Sequence, residues 1–242
     1  MTLSDKPARQ IARPVPLRQS VYEAILDMIV ERTLRPGQHL VENELAVMLG
    51  VSRQPVREAL QWLKNDGWVD LRPGHGAFVH APSVDEADQL LAVRALLETE
   101  SARLAAAHAT PAEIGQLREI CRQGVAALKA DDLASMVAAN ADLHAAVAQF
   151  SGNKVLVELA AQVDRRVRWY YTPIARSRGE QSWREHAALI EAIEAGDGER
   201  AAQVMRDHTE YTRRAYLEST AAEQDVAAAN EVHGDVEQRQ AR

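Results

Sequence analysis

The sequence predicts a mostly α fold in two parts: an N-terminal winged helix-turn-helix, α with a small β-hairpin wing, and a C-terminal all-α antiparallel helical bundle. Three observations carry this expectation. Two helical stretches between residues 42 and 65 are separated only by Gly50-Val51-Ser52. Directly after them, Trp68–Arg72 and Ala77–His80 are short alternating runs joined by Pro73-Gly74-His75-Gly76, the pattern of a hairpin. From Val84 onward the apolar residues recur at helical spacing, with no convincing strand.

Taken in order, residues 1–14 are polar and contain Pro7 and Pro14, which predicts a flexible leader. Residues 15–81 form the first expected domain. Its first helix, Arg18 to Arg32, lines Val21, Ile25, Met28 and Ile29 on one face, and Pro36-Gly37 turns the chain. A second helix spans Glu42 to Leu49. Gly50 can take the positive φ that ends it, and Ser52 is a suitable N-cap for the next. Pro55 falls in the first turn, where a missing N–H costs little.

In that third helix Val56, Leu60 and Leu63 share a face, which leaves Arg53, Gln54, Arg57 and Lys64 on or near the other. Such a helix is either a solvated amphipathic helix or one that presents arginines to base edges and phosphates. The hairpin after it favours the second reading. Its tip carries Arg72 and His75 beside Gly74 and Gly76, so backbone can approach a phosphate closely.

Pro82 and Ser83 make a short linker into the second domain, residues 82–220. Helices are expected at Asp85 to His108, Pro111 to Lys129, Asp132 to Phe150, Asn153 to Tyr171, Gln181 to Ala195 and Glu199 to Leu217. Short connections imply antiparallel neighbours. Residues 221–242 are rich in Ala, Glu and Gln without an apolar stripe, and are expected to be a tail, disordered or a frayed helix.

Composition bounds the function. The net charge of −7 is unevenly spread: residues 1–81 hold 10 basic against 9 acidic side chains, and the remainder 18 against 26. A nucleic-acid contact would therefore depend on a few placed arginines and on dimerisation rather than on a broad basic field. The single Cys121 excludes an intrachain disulfide and agrees with a reducing compartment. No run is long enough to span a membrane and no apolar signal segment opens the chain, so a cytoplasmic location with no membrane partner is expected.

Four polar side chains lie on stripes that should be buried. Asn140 and His144 fall one turn apart in the face Leu133, Met136, Val137, Leu143, Val147 and Phe150. His186 lies between Trp183 and Ile190, and His208 between Met205 and Thr212. A buried imidazole or amide without a partner costs about 1–3 kcal/mol, so each requires either its own hydrogen bond or a shared metal ion. Arg94 is a further anomaly, set among Leu90, Leu91, Leu97 and Ser101 with Glu98 one turn on. It is either paired with Glu98 or stretched along the surface with its head in water.

Two stretches resemble a known family. The text ENELAVMLGVSRQPVREALQWLKNDGWVDLRPGHGAFV, within Leu17 to Val79, is similar to the winged helix-turn-helix of the GntR family of bacterial transcription regulators. That resemblance implies operator contacts by Arg53, Arg57 and the wing-tip Gly74; where many relatives carry an additional arginine, this chain has Asn43. The segment Val84 to Leu217 resembles the FCD effector domain of the FadR-like subfamily, through VRALLE, NADLH followed by SGN, SWREHAALIEAI and GDGERAAQVMRDH. Relatives bind a divalent metal through three histidines and a carboxylate, which implies His144, His186 and His208 as ligands, with Asn140 at the position of the usual Asp and Leu143 at that of the usual aromatic. It implies that Arg94 faces an effector pocket and binds a carboxylate, a pocket that Arg168, Tyr170 and Tyr171 could also line.

The expectation is a homodimeric DNA-binding regulator, a repressor rather than an activator. It would read a palindromic operator in double-stranded DNA and respond to a small organic acid beside a zinc, nickel or similar divalent ion. A metal-dependent hydrolase-type enzyme is the alternative from another class, and a regulator that senses the metal itself is a third. No general base or nucleophile motif accompanies the histidines, so an enzyme is not expected.

Overall fold

The structure, a computed structural model, describes the backbone of residues 16–240 and the side chains of residues 16–221. The leader expected at residues 1–14 lies outside the described residues. Contacts divide the chain into two compact units, the second beginning at Pro82 and also taking in Val30–Arg32.

The first unit is built from α1 (Leu17–Val30), β1 (His39–Leu40), α2 (Glu42–Leu49), α3 (Arg53–Asn65), β2 (Val69–Arg72) and β3 (Gly76–Val79). Helix α2 ends where Gly50 takes φ 66°, and the Gly50 N–H returns to the last turn of that helix. Ser52 stands at the N-cap position of α3 with an extended backbone, yet its side chain makes no capping bond, contrary to the expectation from its residue type. On α3 the face Val56, Ala59, Leu60 and Leu63 is buried. Burying a Val or Leu side chain fully is worth about 1.5–3 kcal/mol, enough to fix which way α3 turns its cationic face.

The wing is an antiparallel hairpin in which Val69 pairs with Val79 and Arg72 with Gly76. Val69, Ala77 and Val79 point inward and are buried. The structure adds β1, which pairs with β3 through His39 and Phe78. Two residues have no period of their own, so only the partner strand defines β1.

The second unit contains only helices among its described residues: α4 (Val84–His108), α5 (Pro111–Lys129), α6 (Leu133–Phe150), α7 (Lys154–Tyr171), a 3-10 turn at Thr172–Ile174, α8 (Ala175–Glu194) and α9 (Gly198–Gln240). Their starts are set by side chains the sequence supplies. Ser83, Thr110, Asp132 and Asn153 each accept from backbone N–H groups of the first turn, Thr110 in a full capping box with Glu113.

Two helices differ from the expectation. Helix α8 starts at Ala175 rather than Gln181, because Gly179 is not a loop glycine: it is buried inside the helix, and a Cβ there would lie 2.7 Å from Leu128 Cδ1. Helix α9 runs beyond its expected end at Leu217, through the segment for which the sequence allows both disorder and a frayed helix, as far as Gln240. Its run of Ala, Glu and Gln favours helix and holds no proline. Helix α4 packs against α6, α7, α8 and α9, which places one of its faces inside the bundle. That interior is not uniformly apolar. Arg94, Asn140, His144, Arg178, His186 and His208 are buried among Leu91, Leu143, Leu189, Ile190 and Met205.

Candidate DNA-binding surface and metal centre

In the first unit, α2, α3 and the wing surround a concave surface of about 720 Å³ lined by Arg53, Arg57, Arg72, Gly74, Asn43 and Glu42, with other residues. Arg53 and Arg57 lie one turn apart at the exposed start of α3, with side chains 60% and 53% accessible. Arg72 on β2 places its guanidinium 4.2 Å from the centre of the Phe78 ring, which holds it over the wing. Gly74 turns the wing tip at φ 76°. Of the sequence-derived residues, these four therefore share one surface. Gln54 instead donates to Glu58 on its own helix at 2.9 Å, and His75 is exposed at the tip without lining the concavity.

The surface also holds a residue that sequence reasoning passed over. Glu42, in the first turn of α2, accepts from Arg57 Nε and Nη2, both at 2.9 Å, and from Arg53 Nη2 at 3.2 Å. The bond from Arg57 holds the Glu42 carboxyl below its ordinary pKa, against a smaller opposing effect of burial. An acidic residue in a helix's first turn is usual dipole chemistry, and 11 to 15 residues of separation give no periodic signal.

In the second unit His144 on α6, His186 on α8 and His208 on α9 converge: one ring nitrogen from each lies within 4.8 Å of the other two. All three are buried. His186 makes no hydrogen bond through either nitrogen, His208 leaves Nε2 unpartnered, and Asn140 Oδ1 is likewise buried without a partner. His208 Nδ1 lies 2.7 Å from Glu185 Oε2, to which Arg178 Nη2 donates at 2.6 Å. With Nδ1–H donated to the carboxylate, the lone pair of His208 sits on Nε2. Glu98 Oε2 is 3.0 Å from His144 Nδ1, while Oε1 accepts from Arg94 Nε at 2.9 Å. Arg94 Nη2 in turn lies 3.3 Å from His144 Nε2.

The electrostatics keep His186 and His208 neutral. Burial, then the neighbouring histidines and arginines, hold His186 well below its ordinary pKa. Burial brings His208 down to about 4, although Glu185 opposes the shift. Burial also works against the charge of Glu185, but the bonds from His208 and Arg178 outweigh it and bring that carboxyl to about 2. Glu98 is likewise kept ionised by Arg94 and His144 in spite of burial. Imidazole nitrogens and an amide oxygen, buried and short of partners, fit a borderline divalent ion. Among the described residues no other cluster of this kind occurs.

A cavity of about 230 Å³ adjoins this centre on the side of Arg94, Glu98, Asn140 and His144. Arg168 lines it; Tyr170 and Tyr171 do not, being buried elsewhere in the bundle. Of the two readings of its sequence position, Arg94 takes the pair with Glu98 and not the surface-lying stem, and it also lines the cavity.

A winged helix with a cationic recognition surface, followed by an all-α domain with a polar internal cavity, defines a DNA-binding regulator. Comparison with known proteins bears this out. The family described as bacterial regulatory proteins, gntR family, matches residues 17–79, and the FCD domain matches residues 89–211. The chain is 29% identical over 197 residues to the HTH-type transcriptional repressor RspR of Escherichia coli (strain K12), spanning 80% of this chain and 86% of that protein. It is 29% identical over 235 residues to the Uxu operon transcriptional regulator of the same strain, spanning 88% and 90%. The solved structure of E. coli McbR/YncC has the same fold, with a TM-score of 0.73 at 21% identity over 86% of this chain and 100% of that one. The chain belongs to the GntR family and carries an FCD domain, and is a DNA-binding transcriptional regulator rather than an enzyme.

Proposed function

We propose that the protein is a homodimeric repressor whose hold on a palindromic operator is set by a small organic acid bound beside a divalent metal in the helical domain. One observation carries the reading: three buried histidines converge next to a cavity whose wall holds Asn140 and the Arg94 guanidinium. Arg53, Arg57, Arg72 and Gly74 are the proposed DNA contacts, with Gln54 and His75 at the margin. A regulator of bacterial transcription acts where the chromosome is, in the cytoplasm, and no described helix is long and apolar enough to cross a membrane. The naming of RspR as a repressor favours repression.

His144, His186, His208 and Asn140 would hold the ion, zinc, nickel or a similar metal. When bound, it supplies a fixed positive charge with a position open to a carboxylate oxygen. Arg94 supplies the directional part of recognition, because a guanidinium fork matches a carboxylate. A cavity below the roughly 300–1,000 Å³ typical of drug-sized ligands selects a small acid. An acid that takes hydrogen bonds from Arg94 competes with Glu98 on the same helix, and so acts on α4, against which α6 to α9 pack. The acid shifts DNA affinity only if it binds the competent and incompetent forms unequally.

The test titrates metal-loaded and chelator-treated protein against an operator duplex, with and without a panel of metabolite acids. Release that requires both metal and one acid is the expected result. Release by metal alone makes the ion itself the effector, and a response to acid that survives full removal of metal would defeat the metal-centred reading.

A further inference from the structure

A carboxylate in the middle of a surface meant for phosphates is an anomaly. Glu42 lies between Arg53 and Arg57 and lines the same concavity as Arg72 and Gly74. It removes one unit of positive charge where DNA would dock, which weakens every contact that depends on charge alone. What it provides in return is geometry. Arg57 presents its Nε and Nη2 edge to the two Glu42 oxygens, one bond each. That uses up the side edge of the guanidinium and leaves the end edge, formed by Nη1 and the second hydrogen of Nη2, free and fixed in direction. Two parallel N–H groups on one edge are what the O6 and N7 acceptors of guanine require. Arg53 is tied by Nη2 alone, so its Nε and Nη1 keep their donors.

We propose that Glu42 is a specificity-determining residue of the DNA-binding surface, a carboxylate clamp that orients Arg57 and Arg53 for base reading while lowering affinity for non-operator DNA. The clamp works through preorganisation. Two long side chains that would otherwise lose rotamer freedom on binding are already held side by side. The proposal rests on the assignment of Arg53 and Arg57 as DNA contacts and is independent of the metal and the effector.

The probes are a duplex selected by the wild-type protein from a random-sequence library and a scrambled duplex of equal length and composition. Fluorescence anisotropy is measured over about 50–200 mM salt, a range across which phosphate contacts show their strength. Glu42→Gln, which removes the charge and keeps the shape, is expected to bind the scrambled duplex more tightly. The slope of log affinity against log salt should steepen by up to about one unit per half-site. Preference for the selected duplex should fall about tenfold or more, the scale of one guanine contact. Glu42→Asp keeps the charge but is one methylene too short to hold both arginines. It should lose preference without gaining scrambled-duplex affinity, which separates geometry from charge. Glu42 is partly exposed in the first turn of α2, so unchanged thermal unfolding is expected for both variants.

Arg57→Ala is the control. If it binds the selected duplex as wild type does, the recognition-helix assignment itself fails. If Arg57→Ala loses binding while both Glu42 variants keep the wild-type preference, or weaken both duplexes equally, the clamp is overturned and the arginine assignment stands.

Discussion

Asn140 stands one turn before His144 with its side-chain oxygen buried and unpartnered, at the place where relatives are expected to carry a carboxylate. Three neutral imidazoles and a neutral amide leave a divalent ion its full charge, whereas a carboxylate would halve it. Asn140→Asp should therefore tighten metal binding by at least about tenfold, the lower end of what even outer ligand changes produce, and weaken binding of an anionic acid. Calorimetry of both should show the affinities moving in opposite directions. Unchanged metal affinity would mean that Asn140 does not coordinate. Arg94 needs a different design from the one its sequence position suggests, because it is 1% exposed and paired with the largely buried Glu98. Truncation to Ala strands that carboxylate at a cost of about 3–5 kcal/mol, so loss of response in Arg94→Ala would be ambiguous. Arg94→Lys keeps the charge and loses the fork. It should raise the acid concentration needed for operator release about tenfold or more at near-normal stability, and release at the wild-type concentration would reduce Arg94 to a structural partner of Glu98.

At the scale of elements, the site depends on how closely helices approach. Gly124 on α5 lies beneath the Trp183 indole of α8, where a methyl group would fall well inside contact distance. The same indole meets the His186 ring edge-on, with centroids 4.9 Å apart. Gly124→Ala should cost about 1–3 kcal/mol in thermal unfolding, the usual effect of overpacking, and should lower metal affinity by displacing His186. Wild-type metal affinity in a destabilised variant would show that α8 holds His186 independently of that contact. In α3 the division of labour is simpler. Its buried face is set by Val56, Leu60 and Leu63, and Arg57 on the opposite side can be removed without touching the core, for a loss of about 1–3 kcal/mol of operator binding per half-site.

For the whole molecule, the interior imidazoles couple stability to pH and to metal. His186 and His208 have folded pKa values below their unfolded value near 6.5, so the stability they contribute is present above that pH and is lost as pH falls. In chelator-treated protein the unfolded chain takes up these protons first. The thermal midpoint should drop steadily from about pH 6.5 towards pH 4, where His208 titrates in the folded state. A midpoint flat across that window would mean that the two rings are not buried as neutral groups. His186→Ala combined with His208→Ala should abolish bound metal by elemental analysis and remove any stabilisation by added metal, since the ion would tie α6, α8 and α9 together.

The sequence by itself determined the two-part, mostly helical architecture and most of the helix limits, because these follow from local chemistry: apolar spacing, a left-handed Gly50, the caps Ser83, Thr110, Asp132 and Asn153. It also flagged His144, His186, His208 and Arg94, since a polar group on an apolar stripe is visible without coordinates. Only tertiary structure decided what such groups meet. That the three rings share one point, that Glu98 and Glu185 pair with His144 and His208, and that Arg94 both pairs and faces a cavity depend on residues far apart in the chain, as Arg94 and Arg168 are in the cavity wall. Glu42 is the same case at the DNA surface, its partners brought to it by the turn between α2 and α3. The two-residue strand β1 and the buried Gly179 also belong to the tertiary side, for neither carries a period and each is defined by its neighbour. Periodicity tells which face of an element is inward; distances between inward faces are set only when the elements pack.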